Sequence, residues 1–208
     1  MIDLLESKKL LLETTRACYS EKLFAGTSGN LSLYNRESGL MLITPSSYPY
    51  EKMTLTDIVV LFLDGTPVEA PHAPSSEWRM HAEIYKAKPE VGAIVHTHSP
   101  YATAFAVNHC SIPVILIEMP IYIGGDVPLA RFAVPGTADV GCSALEVLRD
   151  RPTCLLANHG VVAVGANLAQ AHTRATYVED AARIYSIALS NGAVHPIPEA
   201  CVRQMLRQ

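Results

Sequence analysis

The chain has 208 residues, of which 49% are hydrophobic, and its formal net charge is −4. This length and apolar content are typical of one large domain with a full hydrophobic core, which we expect to span residues 1–208. The acidic balance and the lack of any Lys/Arg cluster in the sequence argue against nucleic acid as a partner.

The sequence also argues against a membrane protein. No apolar run approaches the ~20 residues that a membrane-spanning helix needs, and the charged start at Asp3, Glu6, Lys8 and Lys9 does not fit a signal peptide. We therefore expect a cytoplasmic protein without a membrane partner. Five cysteines without paired spacing indicate reduced, mostly buried thiols rather than disulfides or a cysteine-type zinc site.

Apolar spacing predicts the following elements in chain order. Residues 3–22 have the spacing of an amphipathic helix, residues 31–34 and 40–43 that of a hairpin, and residues 55–64 that of a further strand. Ser75 and Ser76 are predicted to cap a helix at residues 77–87. Later helices are predicted at residues 137–148, 168–191 and 199–207.

Two histidines follow one another at strand spacing in Val91-Gly-Ala-Ile-Val-His-Thr-His98. The run is small and β-branched, as in a buried strand, and residues i and i+2 of a strand share a face. His96 and His98 therefore project to the same side, roughly 7 Å apart along the backbone, where both rings can reach one ion.

A third imidazole is available at His159, in the apolar run Cys154-Leu-Leu-Ala-Asn-His-Gly-Val-Val-Ala163. An imidazole in such a run needs a hydrogen-bonding or metal partner, and Gly160 permits a sharp turn there. A buried histidine that is satisfied within the core is the alternative interpretation. Three nitrogen ligands would leave positions open on a divalent ion, which is typical of catalytic metal sites.

Three loops rich in Ser and Thr are spread over the first 80 residues. Each of them alone is interpreted as an ordinary turn or a helix cap, although such loops and helix N-termini also bind anions. Together with the histidine pair they favour a phosphorylated small molecule as the ligand. The loops are Gly26-Thr-Ser-Gly-Asn30, Thr44-Pro-Ser-Ser-Tyr-Pro-Tyr50 and Pro74-Ser-Ser-Glu-Trp78.

Six motifs in order resemble those of the class II aldolase/adducin family, and within it most closely those of the L-fuculose-1-phosphate aldolases. The resemblance runs from about residue 25 to residue 165. The motifs are Gly-Thr-Ser-Gly-Asn30, Ile-Thr-Pro-Ser-Ser-Tyr-Pro-Tyr-Glu-Lys52, Pro-Ser-Ser-Glu-Trp-Arg79, His-Thr-His98, Ser-Ile-Pro113 and Asn-His-Gly160.

The resemblance implies roles for individual residues. His96, His98 and His159 would hold a divalent ion, usually Zn²⁺ and otherwise Mn²⁺ or Co²⁺. Glu77 would be the catalytic acid/base and an additional metal ligand. A ketose 1-phosphate would be cleaved to dihydroxyacetone phosphate and an aldehyde. Its phosphate would be held by Ser28, Gly29, Asn30, Ser46, Ser47, Ser75 and Ser76.

The expected fold is α/β, a single three-layer domain whose central, mostly antiparallel sheet has helices on both faces. The resemblance adds a homotetramer with active sites at subunit boundaries.

One departure from the family concerns the tyrosine that is thought to act on the aldehyde side, shortly after Ser-Ile-Pro. Here the stretch is Val114-Ile-Leu-Ile-Glu-Met-Pro-Ile-Tyr122, and no tyrosine stands at the matching place. Glu118, which we expect in an apolar strand, or Tyr122 could replace it; a salt-bridged carboxylate and a core aromatic are their structural alternatives. The apolar run also suits a 5-deoxy- or methylthio-pentulose 1-phosphate better than fuculose itself.

Two other enzymatic functions use the same metal site in this family. A methylthioribulose-phosphate dehydratase remains open, whereas Glu77 argues against a sugar-phosphate 4-epimerase, which carries an aspartate at that place. A non-catalytic module like the adducin head has lost its metal histidines, and all three are present here. The remaining histidines, His81 among them, are expected on the surface or behind the site.

Overall fold

The computed structural model describes residues 4–207, and within this range eight strands form one sheet. The strands are β1 (Asn30–Asn35), β2 (Leu40–Ile43), β3 (Val59–Phe62), β4 (Pro67–Glu69), β5 (Ala93–Thr97), β6 (Leu129–Ala130), β7 (Thr153–Leu156) and β8 (Gly160–Gly165). Their order is β4-β3-β2-β1-β5-β8-β7-β6, and each neighbouring pair is antiparallel except β6 and β7. The predicted mostly antiparallel sheet is confirmed.

Helices cover both faces of this sheet. The α-helices of the described range are α1 (Leu4–Ser20), α2 (Trp78–Ala87), α3 (Pro100–Val107), α4 (Glu118–Ile123), α5 (Ala138–Val147), α6 (Leu168–Asn191) and α7 (Glu199–Met205). On one face, side chains such as Val95 and Ala163 form a core with α1 and α6. On the other face, Ile94 and Val162 pack with α2 and α5, so the three-layer α/β prediction is confirmed.

Most predicted elements lie close to the observed ones. The hairpin is formed by β1 and β2, and α6 has the predicted bounds. The opening helix was predicted over residues 3–22 and covers Leu4–Ser20, with Asp3 outside the described residues. The helices predicted at residues 137–148 and 199–207 are α5 and α7, each shorter by one or two residues at an end.

Three local predictions are wrong. The strand expected over residues 55–64 begins as a 3₁₀ turn, because Thr54 and Asp57 form a reciprocal capping box, and only β3 remains as strand. Helix α2 begins at Trp78 with Glu77 in the cap position, and no side chain caps it. The hydroxyl of Ser75 instead accepts a hydrogen bond from the backbone N–H of Glu77 at 3.3 Å.

The third wrong prediction concerns Glu118, which begins helix α4 and does not lie in a strand. Pro120 falls in the first turn, where its missing N–H has no intrahelical partner in any case. Gly124 ends the helix in a left-handed conformation with φ 71°, and its N–H bonds the carbonyl of Met119. Local apolar composition therefore favoured a strand, whereas cap chemistry and packing against α6 produce a helix.

Two further observations bear on the expectations from composition. No helix within residues 4–207 is both long enough and apolar enough to cross a membrane. All five cysteines are free, but only Cys18 and Cys154 are buried, so the expectation of mostly buried thiols is wrong.

We predict that the central strand β5 carries much of the stability of the fold. Ile94 is completely buried between the sheet and α2/α5, so Ile94→Ala should lower the free energy of unfolding by about 2–5 kcal/mol. Denaturant unfolding measures this change. Val68→Ala is the control, because Val68 on the edge strand β4 is 48% exposed, and it should cost about 0.5 kcal/mol or less. Equal losses for both variants would contradict the prediction.

Candidate active site

Strand β5 and the turn between β7 and β8 bring three histidines together. His96 is completely buried near the end of β5, and His98 follows just beyond it. Their ring centroids lie 4.8 Å apart, and the centroid of His159 lies 4.8 Å from that of His96 and 4.9 Å from that of His98. The predicted convergence of the three imidazoles is therefore found in the structure.

The backbone around His159 is shaped for this approach. Asn158 adopts a left-handed conformation with φ 54°, which is uncommon for a residue other than glycine and often marks a functional site. A Cβ atom at Gly160 would lie 2.2 Å from the carbonyl oxygen of Thr97, so only glycine allows the two strands to approach so closely here. The sequence Asn-His-Gly thus brings His159 against the end of β5.

Glu77 completes the group from the start of α2. Its Oε2 lies 2.7 Å from Nε2 of His96, and its Oε1 lies 3.2 Å from Nε2 of His159. One ligand atom from each of Glu77, His96, His98 and His159 lies within 4.8 Å of the others. These four side chains form a group that can hold a metal ion.

The donor set fits a metal ion by its chemistry. Nδ1 of His96 donates to the carbonyl of Val161 at 2.8 Å, which directs Nε2 towards Glu77. Burial opposes a charge on His96, but Glu77 outweighs it and raises the pKa of this ring, so a bound cation would take the place of the proton on Nε2. Nε2 of His96 faces Nε2 of His98 at 2.9 Å, an arrangement that suits a shared cation better than it suits two neutral rings. Within the described residues, Oε1 of Glu77 is buried and has no well-aligned hydrogen bond besides its 3.2 Å contact with His159, and a cation would satisfy it.

The pKa values of Glu77 and His98 also favour metal binding. Burial opposes a charge on Glu77, but the imidazoles of His96 and His159 outweigh it and lower the pKa of this carboxyl far below its usual range. Burial and the neighbouring charge of His96 lower the pKa of His98 to about 3. An ionised carboxylate and a neutral imidazole are the forms that bind a divalent cation.

A pocket of about 300 Å³ is lined by three of the four ligands, Glu77, His98 and His159. Its lining contains every residue predicted to hold phosphate, mostly with hydroxyl, amide and backbone groups, and it includes no Lys or Arg. The lining residues are Thr27, Ser28, Gly29, Asn30, Pro45, Ser46, Ser47, Ser75, Ser76, Glu77, His98, Pro135 and His159. Cavities of about 430 and 570 Å³ lie elsewhere and include none of the four ligands, so we place the site by its chemistry and not by cavity size.

Aromatic residues fix the first loop of this pocket. The hydroxyl of Tyr50 donates to the carbonyl of Gly29 at 2.6 Å, and its ring packs against Phe24 with 4.9 Å between centroids. A Cβ atom at Gly29 would lie 2.5 Å from the ring of Phe24, so this position requires glycine. In the second loop Ser47 has a strained φ of 52°. Sequence reasoning used Tyr50 only as part of a motif and missed this role.

Glu118 and Tyr122 are not brought to this pocket within one chain. Both lie on α4, and neither is among the residues that line it. Tyr122 is 43% exposed and stacks on Tyr177 of α6, with 4.2 Å between ring centroids.

His81 is a functional candidate that sequence reasoning missed as such. It was expected on the surface or behind the site, and it is completely buried on α2 with hydrogen bonds to Asn30 and Ser32. The signal available in the sequence was its spacing, since His81 comes one helical turn after Glu77.

Comparison with known proteins identifies the family of this chain. The sequence profile of the class II aldolase and adducin N-terminal domain matches residues 9–186. A 5-deoxy-D-ribulose 1-phosphate aldolase of Bacillus thuringiensis serovar kurstaki is 38% identical over 180 residues, covering 86% of this chain and 84% of that protein. A 5-methylthioribulose-1-phosphate/5-deoxyribulose-1-phosphate aldolase of Rhodospirillum rubrum is 37% identical over 175 residues, covering 84% and 78%.

A solved structure of an L-fuculose 1-phosphate aldolase has the same fold. Its TM-score is 0.93 at 35% sequence identity, and the match covers 97% of this chain and 95% of that one. The eight-stranded sheet, the cluster of Glu77 with three histidines and the profile match together define a class II aldolase fold with a metal-ligand group. The chain belongs to the class II aldolase and adducin family.

We predict that His96→Ala abolishes stoichiometric metal binding. His96 contacts both Glu77 and His98, so its loss removes one of the four ligands and the contacts that hold these two neighbours in place. Metal content after dialysis, measured by mass spectrometry, tests this. His195→Ala is the matched control, because His195 is exposed in the loop after α6, and it should retain full metal content. Full metal content in His96→Ala would remove this residue from the ligand set.

Proposed function

We propose that the protein is a divalent-metal-dependent aldolase that cleaves a ketose 1-phosphate to dihydroxyacetone phosphate and an aldehyde. The observation that carries this proposal is that a group of one carboxylate and three imidazoles opens, through Glu77, His98 and His159, onto a pocket lined by serine hydroxyls. The names of the related aldolases from Bacillus thuringiensis and Rhodospirillum rubrum support the same reaction and substrate class.

We assign the pocket loops to the substrate phosphate. Hydroxyls and backbone N–H groups can surround a phosphate, and the N-terminus of α2 adds a favourable dipole. The pocket itself contributes no cationic side chain from the described chain, so the bound metal ion would supply the nearby positive charge. We propose Zn²⁺ as this ion, with Mn²⁺ or Co²⁺ as alternatives, because three imidazoles and a carboxylate suit zinc.

The two oxygens of Glu77 have different surroundings, which suggests how the residue works. Oε2 accepts a hydrogen bond from Asn30 at 3.2 Å and lies 2.7 Å from Nε2 of His96. Oε1 lies 3.2 Å from Nε2 of His159 and has no well-aligned hydrogen bond among residues 4–207. Cleavage breaks the C3–C4 bond, C3 gains a proton, and the hydroxyl on C4 loses one. We assign transfer of the C3 proton to Oε1: in the cleavage direction the carboxylate first takes a proton from solvent and then gives it to C3, and in the condensation direction it removes the same proton. When bound, a divalent ion supplies a Lewis acid for the ketose carbonyl.

The group that takes the proton from the C4 hydroxyl would come from a second subunit. Glu118 and Tyr122 lie on α4, outside the pocket of their own chain. The same helix exposes Ile117 and Ile121 at 60% and 61%, an apolar surface suited to a subunit contact. We therefore propose a homotetramer in which Glu118 or Tyr122 acts on the site of a neighbour.

We further propose a single domain over residues 1–208, located in the cytoplasm. The substrate would be a pentulose 1-phosphate with a 5-deoxy or methylthio end. The apolar residues Val114 to Ile117 precede α4 and would reach the aldehyde end together with it, where they suit a carbon or sulfur substituent better than a hydroxyl.

We predict that Glu77→Gln retains metal but loses most activity. The three histidines stay in place, whereas a neutral amide cannot transfer the proton, so kcat should fall by roughly 10² to 10⁴. Coupled detection of dihydroxyacetone phosphate and metal analysis on the same sample test this. Glu13→Gln removes an exposed carboxylate on α1 and should leave both readouts unchanged. Undiminished turnover in Glu77→Gln would reassign the acid/base role.

A substrate panel separates the aldolase from other reactions at the same site. The metal-loaded protein is incubated with fuculose 1-phosphate, 5-deoxyribulose 1-phosphate and methylthioribulose 1-phosphate. We expect dihydroxyacetone phosphate to form fastest from the second or third. Loss of water without dihydroxyacetone phosphate would indicate a dehydratase, and no conversion at all would contradict an enzyme acting on these sugars.

A further inference from the structure

A continuous chain of five buried polar side chains lies behind the candidate active site. None of the five is more than 5% exposed. Asn30 Nδ2 lies 3.2 Å from Glu77 Oε2, and Asn30 Oδ1 lies 2.5 Å from His81 Nε2. His81 Nδ1 lies 2.6 Å from Ser32 Oγ, which lies 2.7 Å from the hydroxyl of Tyr85. The chain thus runs from Tyr85 to the carboxylate of Glu77.

Periodicity explains why these residues meet. Glu77, His81 and Tyr85 are spaced by four residues and form one stripe along α2. Asn30 and Ser32 are spaced by two residues and point to the same face of β1. The register of β1 with β5 places Asn30 opposite His96, so the polar stripe ends beside the metal ligands.

The hydrogen bonds of this chain can run in only one direction. The carboxylate of Glu77 accepts from the amide nitrogen of Asn30, so the amide oxygen faces His81. That oxygen can only accept, which requires the proton of the imidazole to sit on Nε2. Burial lowers the pKa of His81 to about 3, so the ring is neutral and its Nδ1 is unprotonated.

The remaining two bonds follow from this tautomer. Nδ1 of His81 accepts from the hydroxyl of Ser32, and the oxygen of Ser32 accepts from the hydroxyl of Tyr85. Every donor therefore points towards Glu77. Reversal of the Asn30 amide would turn its oxygen against the carboxylate and its N–H₂ towards the N–H of His81, which would break two hydrogen bonds at once.

We propose that His81 is a positioning residue of the reaction. It holds the amide of Asn30 in one orientation; Asn30 in turn fixes Oε2 of Glu77, and Oε1 stays available for the metal ion and the proton. The ring of His81 does not line the pocket, and its hydrogen bonds are to Asn30 and Ser32; its backbone N–H bonds the backbone carbonyl of Glu77 at 3.4 Å, as in an ordinary helix turn. The kinetic part of this inference rests on the proposed aldolase function.

The first test measures the tautomer and needs no activity. ¹⁵N NMR of the ring nitrogens distinguishes a protonated Nε2 from a protonated Nδ1, and comparison with His81→Gln assigns the signal. We expect a neutral ring protonated at Nε2 between pH 6 and pH 8, in the protein with and without zinc, because the pKa of about 3 lies far below this range. A ring protonated at Nδ1 or at both nitrogens would overturn the proposal, whatever the protein's activity.

The second test measures kcat and KM for the best ketose 1-phosphate of the panel. His81→Phe should keep its metal, change KM little and lower kcat about 10- to 100-fold, as is typical when a group that orients a ligating side chain is lost. His81→Gln retains an N–H near the position of Nε2 and should recover most of kcat. If His81→Phe does not fold, the kcat of His81→Gln tests the positioning role: a value near that of the wild type supports it, and a loss of about 10- to 100-fold contradicts it.

Two controls separate positioning from a loss of stability. Ile84→Ala creates a cavity at a completely buried position on the same helix, so it should lower the melting temperature and leave kcat unchanged. Adding His81→Phe to Asn30→Ala should lower kcat no further than Asn30→Ala alone, because His81 acts through Asn30. Additive losses, or normal kcat in His81→Phe, would overturn the proposal. Failure of the wild-type protein to cleave any ketose 1-phosphate would refute the proposed function and leave the tautomer test to decide.

Discussion

A buried carboxylate surrounded by three imidazoles is the interaction on which the rest of this structure depends. Taking an ionised group such as that of Glu77 out of water costs several kcal/mol unless other charges and hydrogen bonds compensate. His96 and His159 supply part of this compensation, and Asn30 supplies a hydrogen bond to Oε2. Oε1 is left without a hydrogen bond among the described residues, which is where a cation would act.

The central strands of the sheet hold this arrangement in place. β5 lies between β1 and β8, so Asn30, His96 and the turn that carries His159 meet at one end of three adjacent strands. Helix α2 packs on the face of the sheet that carries Ile94 and Val162, and its N-cap residue Glu77 lies at this end of the strands. His96 is therefore held within a strand, whereas Glu77, His98 and His159 lie in short loops directly at the ends of α2, β5 and β7, which limits their freedom to move.

Residue spacing predicted part of this site, and the family resemblance predicted another part. The pair His96 and His98 followed from strand periodicity, and His159 followed from the cost of an imidazole in an apolar run. Glu77 was identified by resemblance alone, because a carboxylate next to a helix start is ordinarily a surface group. His81 was placed on a helix, but burial depends on how that helix packs against β1, and spacing within one element does not specify such packing.

Helix α4 shows the limit of local composition. Its apolar, β-branched sequence favoured a strand at Glu118, whereas the left-handed Gly124 and the contact with α6 produce a short helix. Local sequence does not predict strand register either, since the pairing of Asn30 with His96 depends on two segments far apart in the sequence. Such pairings decide which side chains meet, and only the three-dimensional structure shows them.

The most direct measurement of the central claim is anomalous X-ray diffraction of zinc-soaked crystals at the zinc absorption edge. We predict one strong anomalous peak per chain before substrate binds. The zinc ion at this peak should be coordinated by Nε2 of His96, His98 and His159 and by Oε1 of Glu77. A crystal saturated with zinc that shows no peak among these four side chains, or shows its only peaks at surface residues, would contradict the account.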